Sequence, residues 1–289
     1  MMADYWMNEN WKSTARRILS SCICSSFILL GACEKPTTSR PELTEDEVRA
    51  EEIAQQQLVD EIAAQGGTQK TWKSKKGMRS QYERIAERIE QAGAEICRGL
   101  GLPAQGSSCY YHFDIEYDDK LNAYADGKKI VFYSGMLRFL DGDDEIAAVM
   151  GHELAHNLMG HVDASSTNRM TGAFIGLLID AAVASQGIST GGTFGDVGQT
   201  VGHLSYSVDF EEEADYIGLY VAALAGFDIT KAPNVWRRMS LEDPDGIYSS
   251  TTHPSNAARY VALNKTIYEI NSKRARKQPL LPERAKLEE

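Results

Sequence analysis

The sequence predicts an α+β domain that is mostly helical, with a short sheet packed beside a helix carrying His152. Three observations lead there. Helix-forming stretches recur at about 80–100, 142–161, 211–225 and 254–273, the first with apolar residues at a clear helical spacing. Only two segments alternate as strands do, Tyr110–Tyr117 (YYHFDIEY) and Lys128–Ser134 (KKIVFYS), with DDKLNAYADG between them. The composition, 43% hydrophobic and 25% charged over 289 residues, is that of a globular chain able to bury a sizeable core.

Residues 1–32 read as an export signal rather than as fold. Lys12, Arg16 and Arg17 form a positive start, and Ile18–Leu30 an apolar run too short to span a bilayer comfortably as a mature helix. The run ends in Leu30-Gly31-Ala32-Cys33, which resembles the bacterial lipobox. That resemblance implies cleavage before Cys33 and lipid attachment to it. A plain secretory peptide cut near Ala32 is the alternative. Cys22 and Cys24 leave with the signal, so only Cys97 and Cys109 remain in an oxidising compartment. They suggest one disulfide closing a short loop, against two separate buried thiols.

Residues 33–78 read as a tether and spacer helix. Thr44–Gln65 is charged and helix-prone, with a weak apolar pattern and a possible capping box from Thr44 and Glu47. GGTQKTWKSKKG breaks it. Residues 79–272 then form the main domain. In Ser80–Leu100 the residues Tyr82, Ile85, Ile89, Ala92 and Ile96 mark an amphipathic helix. Asp143 and Asp144 are N-cap candidates for the helix carrying His152, which should run to about His161. Met170–Ser185 is apolar but short and interrupted by Asp180, so it is not read as membrane-spanning. The Gly-rich Gln186–Gly202 is a lid or a mere connector. Residues 273–289 form a basic tail, read as solvated. The formal net charge of −11 argues against a nucleic-acid partner.

Chemistry concentrates in MGHELAHNLMGH, Met150–His161. His152, Glu153 and His156 form H-E-x-x-H. Residues four apart on a helix lie one turn above each other, so both imidazoles face one side. Two neutral nitrogens so placed can grip one zinc ion at ~2.0–2.1 Å each. Glu153 lies about 100° round the helix, beside the metal, where it can take a proton from the attacking water. His161 stands in the wrong place for the third ligand of an H-E-x-x-H-x-x-G-x-x-H site and reads as a helix C-terminal histidine. Gly151 and Gly160 are weak helix residues, tolerable if a strand or substrate must approach closely, or else a mere local weakness.

A third ligand is still needed. In YSVDFEEEADYIGLYVAALAGFD, Glu211 and Asp215 share a helix face, so Glu211 could bind metal while Asp215 supports a ligating histidine. Glu212 and Glu213 would then be solvated or capping. Taken alone, an acidic triplet is more readily a charged helix face.

H-E-x-x-H followed by E-x-x-A-D-x-x-G resembles the zinc endopeptidase family of CAAX prenyl endopeptidases, HtpX and BepA-like envelope proteases. The similarity runs from about Tyr82 to Ile270 and includes Asn122-Ala123, YSGMLRFLDGDDEIAAVMGHELAH, EEEADYIGLY with AGFD, and THPSNAAR. It implies a gluzincin-like fold, one zinc ion per chain and Glu211 as third ligand. It also places His253 and Arg259 beside the active site. The imidazole of His253 would there stabilise an oxyanion or occupy the open zinc position. The family often has Ser-Arg beginning four residues before the ligand glutamate. Ser207-Val208 stands here, so the arginine's role is absent or supplied elsewhere.

The resemblance implies an envelope protease, lipid-anchored and most simply outer-membrane, facing the periplasm. Its substrates would be unfolded or misassembled envelope proteins, with outer-membrane assembly machinery as a further partner. A sheet edge near KKIVFYS would bind substrate as an added strand. Two rival readings remain: a holdase or assembly factor with a retained zinc site and little turnover, and a structural zinc protein.

Overall fold

The computed structural model describes residues 38–64, 74–102, 109–166, 170, 177, 179–180, 193–242 and 257–283. The chain divides into two compact units, 1–35 with 164–207 and 36–163 with 208–289. The second holds the sheet and the histidine-bearing helix. In chain order its elements are α1 (Glu45–Ala64), α2 (Lys75–Gly99), β1 (His112–Glu116), β2 (Ala123–Ala125), β3 (Lys129–Tyr133), α3 (Ser134–Phe139) and α4 (Gly142–Leu158). The later part of α5 (Thr193–Leu224), a 3-10 turn (Ile229–Lys231), α6 (Ala232–Glu242) and α7 (Ala257–Ala275) complete it. Among the described residues no helix is long and apolar enough to cross a membrane. The predicted signal, Cys33 and the His253 loop lie outside the described residues.

Helix α4 explains the architecture. Every residue from Glu145 to Leu158 is buried, so this helix has no solvent face and shows no amphipathic period. It must be wrapped. Helix α2 covers one side with Met78, Tyr82, Ile85, Ile89 and Ile96, the helical stripe expected from the sequence. Each fully buried isoleucine contributes roughly 1.5–3 kcal/mol. Ser74 caps α2, its hydroxyl accepting from Gly77 N at 3.1 Å. Cys97 near the end of α2 is disulfide-bonded to Cys109, which tethers the chain just before β1.

The sheet has three strands in the order β1-β3-β2, with β1 parallel and β2 antiparallel to β3. This overturns one expectation. The KKIVFYS segment is the middle strand, hydrogen-bonded on both sides, and offers no edge to a substrate. The free edges among the described strands are β1 and β2, and β2 lies against α4. The sequence did not separate β2, whose three residues are too few to show alternation.

The helix read as a spacer is packed. Helix α1 lies on α7, and Glu51 accepts a two-pronged pair from Arg237 at 2.5 and 2.6 Å. The capping box forms: Glu47 N donates to Thr44 Oγ1 at 3.3 Å and Thr44 N to Glu47 Oε2 at 2.9 Å. The start of α4 also differs from expectation. Its N-cap is Asp141, while Asp143 and Asp144 sit inside the first turn. There they receive Arg84 at 2.7 Å and the amide of Asp228 at 2.9 Å.

Candidate metal centre

Helices α4 and α5 meet backbone to backbone. A Cβ on Gly151 would stand 2.6 Å from the carbonyl oxygen of Gly218, and a Cβ on Gly218 2.7 Å from the amide nitrogen of His152. The close neighbour at Gly151, expected to be a strand or substrate, is a helix instead. Glu211, Asp215 and Gly218 fall at i, i+4 and i+7, on one face of α5. The contact that seats Gly218 therefore aims both carboxylates at the histidines of α4.

Two imidazole nitrogens and a carboxylate converge. His152 Nε2 lies 3.2 Å from His156 Nε2 and 3.3 Å from Glu211 Oε2, and His156 Nε2 lies 3.2 Å from Glu211 Oε1. All three residues are buried, and together they form a group able to hold a metal ion. The fit can be tested by size. An ion bound tetrahedrally at about 2.0–2.1 Å spaces its ligands about 3.3–3.4 Å apart. The observed separations are of that size, with Glu211 turning one carboxylate oxygen to each histidine.

Each imidazole is held from behind. His152 Nδ1 lies 2.9 Å from Asp215 Oδ1, which also accepts from Trp236 Nε1 at 2.9 Å. Arg259, only 2% exposed, donates to both oxygens of Asp215 at 2.8 and 2.9 Å and lies 3.0 Å from Glu211 Oε2. The cation steadying the acidic pair is therefore Arg259, supplied by α7. Trp236, from α6, also packs edge-on to His152 with ring centres 5.4 Å apart.

The support behind His156 contradicts two expectations. Helix α4 ends at Leu158, and Gly160 adopts φ +71°, a left-handed conformation that a Cβ disfavours. His161 opens the next helical stretch instead of closing α4, and the turn folds it back. Its Nδ1 lies 3.0 Å from His156 Nδ1, and its Nε2 3.0 Å from Glu213 Oε2. Glu213 is not solvated but 1% exposed. Its Oε1 accepts from Thr38 N at 2.8 Å and Thr38 Oγ1 at 2.6 Å. Glu212 turns the other way and pairs with Arg40 at 2.6 Å.

These contacts set the charge before any metal binds. Burial disfavours a charged His152, yet Asp215 and Glu211 outweigh it and raise the pKa to about 10. Burial dominates at His156 and pushes it down to about 3. Burial would raise Asp215, but Arg259 and His152 hold it at about 2. Thus at neutral pH the pair carries one positive charge, on His152, while His156 is neutral.

Glu153 is buried on α4 next to His152, as H-E-x-x-H requires. Asn157 was not singled out from the sequence. It fastens the β2–β3 turn to α4, accepting from Gly127 N at 2.8 Å and donating to Lys129 O at 3.1 Å.

Comparison with known proteins agrees with this geometry. The sequence model described as peptidase family M48 matches residues 83–267. The chain is 35% identical over 133 residues to the mitochondrial metalloendopeptidase OMA1 of Arabidopsis thaliana, covering 45% of this chain and 26% of that protein. It is 31% identical over 173 residues to OMA1 of Schizosaccharomyces pombe, covering 58% and 50%. It is 29% identical over 136 residues to the beta-barrel assembly-enhancing protease of Escherichia coli (strain K12), covering 45% and 28%. In each case the match spans half of the relative's length or less.

Proposed function

The chain belongs to peptidase family M48, and on that footing we propose that it is a zinc-dependent endopeptidase of a bacterial envelope. The observation that carries the reading is the triangle of His152, His156 and Glu211 with Glu153 beside it. Two imidazoles and one carboxylate are the donor set of a catalytic zinc site, which takes three protein ligands and not four. Among the described residues that count is three, which speaks against a purely structural metal. A bound zinc ion would polarise the scissile carbonyl and acidify the attacking water.

The protein's own groups do the rest. Glu153 accepts the proton of the attacking water and delivers it to the departing amine. Asp215 fixes the ring of His152, and Arg259 keeps Asp215 ionised and holds Glu211 in place. The edge of β2, lying on α4, is where an extended peptide would add as a strand, read through its backbone more than its side chains. This suits unfolded or misassembled envelope proteins as substrates, in keeping with the likeness to the assembly-enhancing protease. Lipid on Cys33 would anchor the chain, and Glu34 in place of aspartate favours delivery to the outer membrane. His253 serves as an inhibitory ligand or as an oxyanion donor.

The test is casein degradation by the purified protein and by Glu153→Gln at matched zinc content. The variant should lose most activity. Equal rates would sink the protease reading and leave a holdase with an idle metal site.

A further inference from the structure

The support behind His156 has a direction. Building on the metal site proposed above, His156 must present an unprotonated Nε2 to the ion, because that nitrogen lies in the triangle with Glu211 and His152. The neutral ring therefore carries its hydrogen on Nδ1. That hydrogen is donated to His161 Nδ1, 3.0 Å away, which is then the accepting nitrogen. His161 in turn carries its hydrogen on Nε2 and donates it to Glu213 Oε2 at 3.0 Å. Glu213 is kept an acceptor by the two donors of Thr38 on its other oxygen. Every proton in the chain has one possible place.

This series has no slack. Glu213, His161 and Thr38 are 1%, 3% and 6% exposed, so water does not compete for their bonds. His161 is also stacked on Phe210, ring centres 4.6 Å apart and nearly parallel. Thr38 belongs to the segment leading into α1, and Arg40 binds that segment to Asp209 O at 3.0 Å and to Glu212. The segment thus runs along the same turn of α5 that supplies Glu211.

We propose that Glu213, acting through His161 and held by Thr38, is a positioning residue for His156, and that it makes metal retention depend on the N-terminal segment being docked. The two histidines would then be supported by different means: His152 by a carboxylate directly, His156 by a carboxylate through an intervening imidazole. Loss of such an outer partner typically weakens metal binding by about 10–100-fold.

The test uses the full chain, with zinc affinity measured against a chromophoric chelator and the cobalt(II)-loaded protein read by its visible spectrum. Three variants are compared: Thr38→Val, Glu213→Gln and the double variant His161→Phe with Glu213→Gln. The double variant keeps the ring stack on Phe210 and removes the buried charge that a lone His161 replacement would strand. Thermal unfolding of the metal-free proteins identifies variants that fail to fold. The expected result is a 10–100-fold weaker zinc affinity and an altered cobalt spectrum in the folded double variant. Glu213→Gln and Thr38→Val should show smaller losses in that order. Wild-type affinity and spectrum in the folded variants would overturn the proposal while leaving the metal site standing. A wild-type chain that binds neither ion would overturn the metal site itself, and the proposal with it.

Discussion

Gly218→Ala isolates the contact on which the metal site is built. The added Cβ would meet His152 N at 2.7 Å and both Gly151 C and His152 Cα at 2.8 Å. Comfortable carbon contacts lie at about 3.5–4.0 Å, so the two helices must part by close to 1 Å. The atoms in the way are backbone, which cannot rotate aside as a side-chain tip can. Glu211 sits on the same helix as Gly218, two turns earlier, and moves with it. Metal ligands tolerate displacements of only about 0.2 Å. Overpacking of this kind costs about 1–3 kcal/mol, which a domain with ordinary stability survives. The expectation is therefore a folded protein whose zinc affinity falls at least tenfold, or about 1.4 kcal/mol. Chelator competition reads the affinity, and thermal unfolding of the metal-free form reads the fold. If Gly218→Ala binds zinc as the wild type does while its unfolding temperature drops, the helix contact serves packing alone.

Three further outcomes are expected. Glu211→Ala should lose stoichiometric zinc while Glu153→Gln keeps it, since the base is not a ligand; metal analysis of the purified variants decides. Zinc loading at pH 7 should release about one proton, because the pKa of about 10 keeps His152 in its charged form and that of about 3 leaves His156 neutral. The sign follows: apparent affinity rises with pH, tenfold per unit, up to the region of pH 10. Calorimetry in buffers of different ionisation enthalpy counts the protons, and a count of zero would contradict the charge assignment. Cys33→Ser should abolish lipid attachment and processing at that site. A processed, lipidated Cys33→Ser protein would exclude the lipobox reading.

What could be read from the sequence was local or carried by resemblance. The one-turn spacing of His152 and His156 announces a shared face, and the same spacing ties Glu211 to Asp215. Neither spacing says which helix meets which. The likeness to a known family linked the two segments and brought in Arg259, whose pairing with Glu211 and Asp215 no local pattern reveals. The pair His161 and Glu213 was misread for a physical reason. Their partners lie 52 residues apart, and Glu213 binds a threonine 175 residues away. An acidic triplet on a helix carries the local marks of a solvated face, and only tertiary packing turns its third member inward. Helix α4 was legible through its motif and not through periodicity, since a helix buried on all sides has none.

The grip of Thr38 on Glu213 also fixes a distance. Five residue-to-residue steps lead from Cys33 to Thr38. Fully extended, they span at most about 18 Å. With lipid on Cys33, the turn of α5 that bears Glu211 would be moored within a few nanometres of the bilayer. Such an enzyme would not sample the whole compartment. It would work on chains lingering at the membrane surface, such as a barrel strand that has not inserted, and pass over folded proteins free in solution. Selectivity would then come from where a substrate waits as much as from what its side chains are.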